Sequence, residues 1–192
     1  MKVFLIRHGQ TTGDIEDRYG GEYDDHLTDE GRVQAGQLAE KLVNLGIEKI
    51  YASPLIRAQE TAKLLSEKLD ASVVTIENMR ERNAYGILTG MVKAEAKEKY
   101  PEVVELVKDK LQTVEGGEGY EEFGERVSAA FAEISNADHE TIAIISHGGA
   151  IRYIFREILN QGEIGVEDCG FAELKIVNGK PELVKTDGIN VE

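Results

Sequence analysis

The stretch that decides the fold is Lys2-Val3-Phe4-Leu5-Ile6-Arg7-His8-Gly9-Gln10-Thr11. Its four consecutive apolar residues predict a strand that is buried on both faces, as in parallel sheets. Gly9 is expected to end this strand, because a residue without Cβ adopts the dihedral angles of a sharp turn. Arg7 and His8 then lie at the carboxyl end of a central strand, where open α/β sheets bind their ligands.

The same pattern returns at Thr141 to Ser146, a second apolar run that ends at His147-Gly148-Gly149. Two such strands side by side would present two imidazoles to one pocket. A lone histidine after a strand is more often structural than catalytic. Two histidines in the same strand–His–Gly pattern, one of them preceded by Arg7, favour a functional pair.

The composition is that of one soluble domain spanning residues 1–192, with 41% hydrophobic and 30% charged residues. A net charge of −14 argues against nucleic acid or anionic membrane as a partner, but not against a small anionic substrate. Cys169 is the single cysteine, so no intramolecular disulfide forms, and its acidic setting disfavours a thiolate. With no signal peptide before the first strand and no apolar stretch of membrane length, we expect a cytoplasmic protein.

The chain continues with alternating helices and short strands. Thr28 is expected to cap a helix that ends near Gly46, and a strand follows over 47–52. Ser53 as N-cap and Pro54 at the first helical position predict the next helix. Arg57 then lies in its first turn; alone it would be a surface arginine, but its place beyond a strand end favours a functional role.

The segment from Asn78 to Tyr120 interrupts this alternation and is expected to be an insertion that caps the active site. The remaining expected elements are a strand over 71–76, helices over 92–100, 101–111, 123–134 and from Gly148 onward, and a final hairpin over 171–177 and 182–185 that turns at Asn178-Gly179. Together these elements predict a three-layer α/β/α sandwich with a mostly parallel central sheet and a cap over the carboxyl ends of its strands.

These motifs resemble the histidine phosphatase superfamily, the phosphoglycerate mutase-like enzymes. The shared segments follow the family's order over nearly the whole chain: Leu5 to Thr11, Arg18 to Gly21, Leu27 to Gly31, Ser53 to Ala62 and Ser146 to Gly149. The resemblance implies an enzyme that acts on a small phosphorylated metabolite without a metal or other cofactor.

Phosphoryl transfer requires an in-line nucleophile, positive charge around the phosphoryl oxygens and a proton for the leaving oxygen. His8 is the expected nucleophile, forming a phosphohistidine while its other ring nitrogen donates to a carbonyl near Gly9. By resemblance, Arg7, Arg57 and His147 complete the phosphate pocket. His147 adds a third cation there if it is protonated.

The resemblance implies that Glu81 protonates the leaving group and then activates the acceptor. The residues alone leave equally open a Glu81 that is only paired with a neighbouring arginine. The candidate substrate contacts are Gln10, Thr11, Asp14, Gly20, Gly21, Arg82, Lys93, Gly148 and Gly149. Arg18, Arg82 and Lys93 are either readers of a carboxylate or second phosphate, or solvated surface charges.

A phosphatase is favoured over a mutase, which would need bisphosphoglycerate as phosphoryl donor. The segment around Lys93 resembles mutases, yet the chain is shorter, and only Lys108 and Lys110 are basic between residues 100 and 113. His147 is followed by Gly-Gly, as in the phosphatase branch. Two departures from the family pattern are Asp14, where asparagine is usual, and one extra residue between Glu81 and Gly86.

Two further alternatives belong to other classes. A catalytically silent module that only holds phosphorylated ligands is disfavoured by the intact set of catalytic residues. A metal site built from Asp24, Asp25 and His26 with the two motif histidines is disfavoured because the neighbouring arginines would repel a cation. Asp24 and Asp25 are then expected to be simple loop residues. The oligomeric state, monomer or homodimer, stays open.

Overall fold

The computed structural model describes residues 1–191. Its six strands are β1 (Lys2–Arg7), β2 (Lys49–Ala52), β3 (Ser72–Thr75), β4 (Thr141–Ser146), β5 (Ile164–Val177) and β6 (Lys180–Val191). They form one sheet in the order β3-β2-β4-β1-β5-β6. The first four strands are parallel to one another, whereas β5 and β6 run antiparallel at one side. The expected mostly parallel sheet is confirmed.

The helices are α1 (Thr12–Ile15), α2 (Asp29–Leu42), α3 (Ile56–Leu69), α4 (Lys93–Lys99), α5 (Pro101–Leu106), α6 (Tyr120–Ser135) and α7 (Gly148–Tyr153), which continues as a π-helical turn over Ile154–Ile158. Two 3₁₀ turns, Glu77–Met79 and Gly86–Leu88, lie between β3 and α4. No helix within residues 1–191 has the length and apolar character needed to cross a membrane.

The sheet lies between two layers of helices. On β1, Phe4 and Ile6 pack with α2 and α3, whereas Val3 and Leu5 pack with α6 and α7. Because successive side chains of a strand point to opposite faces, this alternation builds one apolar core on each side. All four residues are fully buried. The predicted three-layer α/β/α sandwich is therefore confirmed.

Strands β1 and β4 pair in register, from Lys2 opposite Thr141 to Arg7 opposite Ser146. The backbone N–H of His8 continues the ladder by donating to the carbonyl of Ser146 at 3.1 Å. Both strands therefore end at one edge of the sheet, and the residues that follow them emerge side by side.

Several element boundaries differ from expectation. Helix α5 ends at Leu106 rather than at 111, and β5 and β6 extend beyond the expected hairpin over 171–177 and 182–185. Helix α2 begins as predicted, with Thr28 Oγ1 accepting from the backbone N–H of Gly31 at 2.9 Å, but it ends at Leu42, before Gly46. Helix α3 begins at Ile56, so the expected N-cap at Ser53 was wrong. The buried Ser53 hydroxyl accepts a backbone N–H only at 3.3 Å and is engaged elsewhere.

Gly9 ends β1 for a different reason than expected. It does not adopt a positive φ; instead, a Cβ on Gly9 would lie 2.6 Å from the carbonyl oxygen of Gly31. A Cβ on Gly31 would in turn lie 2.1 Å from the carbonyl oxygen of Gln10. The start of α2 therefore rests directly on the backbone that follows β1, which only residues without a side chain allow.

This contact predicts opposite effects for two glycines of the same helix. Gly31→Ala is expected to lower the free energy of unfolding by about 1–3 kcal/mol, because backbone must move to admit the methyl group. Gly36→Ala, whose Cβ would meet nothing within 4 Å, is expected to raise it by about 0.5–1 kcal/mol through helix propensity. Urea denaturation followed by circular dichroism measures both, and equal midpoints for the two variants would contradict the packing described.

Candidate active site

A cavity of about 450 Å³ lies beyond the carboxyl ends of β1 and β4. Nine lysine or arginine side chains line it, against four acidic ones, Asp14, Asp25, Glu81 and Glu163. The chain as a whole carries a net charge of −14. The cavity therefore concentrates positive charge in an acidic protein, which suits an anionic ligand.

His8 is held as a neutral imidazole with one defined tautomer. Its Nδ1 lies 2.8 Å from the carbonyl oxygen of Gly9, which can only accept, so Nδ1 carries the hydrogen. Burial and the charges of Arg57 and Arg7 hold the pKa of His8 well below its usual value, against the opposing effect of the Gly9 bond. The free lone pair is on Nε2, where Arg57 Nε donates at 3.1 Å.

His147 lies beside it, with the two ring centroids 5.1 Å apart. Its Nε2 lies 2.6 Å from Ser53 Oγ. Ser53 Oγ accepts from the backbone N–H of Leu55 at 3.3 Å, and with the serine hydrogen donated to His147 Nε2, the imidazole hydrogen is assigned to Nδ1. This buried Nδ1 has no hydrogen-bond partner within residues 1–191, so it can donate to a ligand.

His147 would add a third cation if it were protonated, but the free protein does not favour that form. Burial, followed by the charges of Arg57 and of the neighbouring His8, holds the pKa of His147 well below its usual value. His147 is therefore a neutral donor here, and its position and tautomer are set by Ser53, a role that the local sequence around Ser53 did not indicate.

Arg57 is anchored on three sides, and the expectation that Asp25 is a simple loop residue was wrong. Arg57 Nη1 donates to Asp25 Oδ1 at 3.0 Å and to the Tyr23 carbonyl at 2.6 Å, and Nη2 donates to the Gly21 carbonyl at 2.8 Å. Asp25 is buried and also accepts from the backbone N–H of Gly13 at 3.0 Å. The loop before α2 therefore fixes the guanidinium over His8.

Arg7 is anchored by β5. Its Nη1 donates to the Val166 carbonyl at 2.7 Å, and its Nη2 lies 3.0 Å from Asp168 Oδ1 without hydrogen-bond alignment. A break in register of β5 brings this segment close, and Cys169 N–H donates to the His8 carbonyl at 3.1 Å. Burial raises the pKa of the Cys169 thiol to about 12, in keeping with the expectation that it is not a thiolate.

Glu81 is held by backbone amides rather than by an arginine. Its Oε1 accepts from Arg82 N–H at 2.8 Å and its Oε2 from Gly149 N–H at 2.9 Å, and within residues 1–191 the carboxylate forms no ion pair. A Cβ on Gly149 would lie 2.2 Å from Glu81 Oε1. The Gly149 amide, expected to bind an anionic ligand, is thus used to position Glu81. Arg126 fixes the same segment by donating to the Glu81 carbonyl at 3.0 Å.

The predicted site residues line the cavity, with the exception of Gln10 and His147. His147 is fully buried beside His8, and Gln10, a candidate substrate contact, lies outside the cavity lining. Its side-chain oxygen accepts from Thr28 Oγ1 and its backbone N–H donates to Gln34, both at 2.9 Å. Gln10 therefore joins β1 to α2.

Asp14 lines the cavity but serves mainly to cap α1. Its Oδ2 accepts from both the backbone N–H and the hydroxyl of Thr11 at 2.9 Å, while Thr11 Oγ1 caps the helix in return. Its charge, after burial, contributes to the raised pKa of Asp168. The unusual aspartate is thus accommodated by local hydrogen bonds.

The three cations considered as substrate contacts, Arg18, Arg82 and Lys93, are already bound to other groups of the protein. Arg82 is buried and donates to three backbone carbonyls within residues 110–118. Lys93 Nζ lies 2.5 Å from Asp17 Oδ1, and Arg18 pairs with Glu16 and donates to the Gly90 carbonyl. These side chains hold the insertion and the loop after β1 around the cavity.

The residues of the alternative metal site are directed to other partners. Asp25 binds Arg57, Asp24 accepts from the backbone N–H of Ile56 at 2.7 Å, and His26 Nδ1 lies 2.8 Å from Glu60. Across the described part of the chain, no group of three or more His, Cys, Asp or Glu side chains is arranged to hold a metal ion.

Comparison with known proteins gives consistent results. The profile of the histidine phosphatase superfamily (branch 1) matches residues 3–187. Phosphoglycerate mutase-like protein 4 of Arabidopsis thaliana is 32% identical over 80% of this chain and 69% of its own length. A metal-independent phosphoserine phosphatase of the same plant is 29% identical over 85% and 71%. The structure of YhfR from Bacillus stearothermophilus shares the fold, with a TM-score of 0.87 at 22% identity and 95% coverage of both chains.

The two buried histidines predict that the fold loses stability in mild acid. Their pKa values lie well below the value of about 6.5 expected in the unfolded chain, so the unfolded chain binds protons that the folded one does not. Stability is then complete above that pH and falls as the pH drops below it, by about 1 kcal/mol per histidine between pH 6.5 and 5.5. Urea titrations across this range measure how the free energy of unfolding changes with pH. An equally steep change in the double variant His8→Asn/His147→Gln would show that the two histidines are not its cause.

Proposed function

The chain belongs to the histidine phosphatase superfamily, and on that premise we propose that it is a metal-independent phosphatase that hydrolyses a small phosphomonoester through a phosphohistidine on His8. The observation that carries the proposal is the state of His8. It is neutral, its tautomer is fixed by Gly9, and its lone pair on Nε2 lies among the guanidinium groups of Arg7 and Arg57.

In the first step, His8 Nε2 attacks the phosphorus atom as the ester P–O bond breaks on the opposite side. Arg57 Nε, which donates to Nε2 at 3.1 Å in the free protein, moves onto a phosphoryl oxygen as substrate enters. The forks of Arg7 and Arg57 then neutralise charge on the equatorial oxygens. Donors aimed at developing charge are each worth about 3 kcal/mol in comparable sites.

His147 supplies a further donor to the phosphoryl group. Its Nδ1 hydrogen is buried without an acceptor, a costly state that a phosphoryl oxygen would relieve. The Ser53 hydroxyl supports this role by occupying Nε2 at 2.6 Å and keeping the hydrogen on Nδ1. His147 thus contributes as a neutral donor.

Glu81 handles the protons of both steps. It gives a proton to the leaving alcohol oxygen in the first step. In the second it takes a proton from a water molecule whose oxygen attacks phosphorus while the P–N bond to His8 breaks. Inorganic phosphate leaves and the lone pair on Nε2 is restored. The amide bonds from Arg82 and Gly149 hold the carboxylate at the cavity wall for this purpose.

A mutase is the second candidate, with bisphosphoglycerate as donor. A relative named phosphoglycerate mutase-like is 32% identical, and Lys108 and Lys110 both line the cavity. Both lysines are paired with acidic neighbours, Glu105 and Glu163, which favours the phosphatase.

The proposal extends to a cytoplasmic enzyme whose partner is a small phosphorylated metabolite rather than a nucleic acid. The net charge of −14 and the single cysteine support this part of the proposal.

The deciding experiment is phosphorus NMR with 3-phosphoglycerate, a trace of bisphosphoglycerate and a chelator. A phosphatase releases inorganic phosphate, whereas a mutase interconverts the two monophosphate isomers without release. We expect release, and we expect His8→Ala to abolish it while its circular dichroism spectrum stays that of the wild type. Phosphate release by His8→Ala at the wild-type rate would rule out the phosphohistidine, and ligand binding without turnover by the wild type would favour a silent binding module.

The role of Glu81 predicts a dependence on the leaving group. Glu81→Gln keeps an oxygen for one backbone amide but cannot donate a carboxyl proton. We expect kcat for an alkyl phosphate to fall by about 10²–10⁴-fold, and kcat for p-nitrophenyl phosphate, whose leaving group needs no proton, to fall far less. Steady-state assays of both substrates measure this, and an equal loss for both would assign Glu81 a structural role only.

A further inference from the structure

Arg152 differs from every other basic residue of the cavity. Eight of the nine lysine and arginine side chains that line it have protein partners, such as Asp25 for Arg57 and Glu163 for Arg156. Arg152 donates no hydrogen bond and forms no ion pair within residues 1–191, although it is half-buried. A guanidinium group carries five N–H donors, so a half-buried one without partners is prepared to bind an anion.

The position of Arg152 is fixed by α7. Its Nη1 lies 3.1 Å, and its Nη2 3.3 Å, from the point where a Cβ on Gly148 would lie. The guanidinium therefore rests against the bare backbone of Gly148, on the cavity wall. A side chain on Gly148 would occupy the space that the guanidinium now fills beside the cavity.

Arg152 does not belong to the group around the nucleophile. Besides burial, the charges that lower the pKa of His8 are those of Arg57 and Arg7. Its charge acts on Tyr85, whose pKa is raised by burial and by Glu81, with Lys93 and Arg152 opposing. Arg152 and Tyr85 both line the cavity, so this unpaired charge is available to a ligand inside it.

We propose that Arg152 binds a second anionic group, a carboxylate or another phosphate, on the substrate whose phosphoryl group is transferred to His8. This inference rests on the proposed phosphatase function. The planar fork of arginine matches both kinds of anion with two parallel hydrogen bonds. Esters of neutral alcohols would leave this group unpaired, so the substrate class is a phosphomonoester with a second negative charge.

The test compares matched substrates. The compounds 3-phosphoglycerate and glycerol 3-phosphate differ by one carboxylate, and fructose 1,6-bisphosphate and fructose 6-phosphate differ by one phosphate. We expect the wild type to favour the more charged member of at least one pair by about tenfold or more in kcat/KM, as for other charge-assisted hydrogen bonds. The pair that shows the preference identifies the anion.

Variants assign the preference to Arg152. We expect Arg152→Gln to remove it, Arg152→Lys to keep part of it, and Lys63→Gln, which makes the same change of charge on the exposed surface of α3, to keep it fully. Equal losses on both members of each pair in Arg152→Gln would place Arg152 on the reacting phosphoryl group and overturn the proposal. So would a wild type without preference in either pair.

Failure of the proposed function gives a different result. If no substrate, including p-nitrophenyl phosphate, releases phosphate, the phosphatase assignment is wrong. The role of Arg152 is then tested by ligand binding alone. Calorimetry should then show 3-phosphoglycerate or fructose 1,6-bisphosphate binding at least tenfold more tightly than its matched partner to the wild type, and equally to Arg152→Gln. Equal binding to the wild type would overturn the inference.

Discussion

The site depends on the in-register parallel pairing of β1 with β4. This pairing places His8 and His147 one step beyond strand ends that meet at the same edge, with ring centroids 5.1 Å apart. A slip of one residue would exchange the two faces of the strand, sending Phe4 and Leu5 into the wrong cores. The helices on both faces therefore fix the register, and the register fixes the distance between the imidazoles. The packing of the two cores and the distance between the two histidines are thus a single constraint.

Anchored charges explain how an acidic protein forms a site for anions. Arg57 and Arg7 are held by groups from distant parts of the chain, Asp25 and Asp168 among them, before any ligand is present. Because these side chains are already ordered, binding of an anion bears little of their entropy cost. The acidic anchors also limit the net charge of the cavity, which makes burial of so many cations tolerable.

Local patterns predicted the parts of the structure that are local. The strand ends and the N-cap at Thr28 follow from a few adjacent residues, and so does the placing of the histidines. Ser53 satisfied the same capping rule and was misassigned, because its hydroxyl is used by His147, 94 positions away. Asp25 and Arg152 carried no local signal. Asp25 is recognised by its remote partner Arg57, and Arg152 by the lack of a partner among residues 1–191, and both facts require the folded structure. The resemblance of the chain to a known family supplied what residue patterns could not, namely the reaction class.

The contact between Arg57 and His8 has a consequence for chemical durability. In the free protein, Arg57 Nε donates to His8 Nε2 at 3.1 Å and so occupies the lone pair of this nitrogen. Acylating compounds and soft metal ions react with exposed imidazoles. They carry no negative charge, so they do not attract the guanidinium of Arg57 away from His8. Phosphate esters carry negative charge, and their oxygens compete with His8 Nε2 for the guanidinium of Arg57. Under the proposed mechanism, a phosphate ester therefore exposes the lone pair on Nε2 of His8, whereas compounds without a negative charge leave it covered by Arg57.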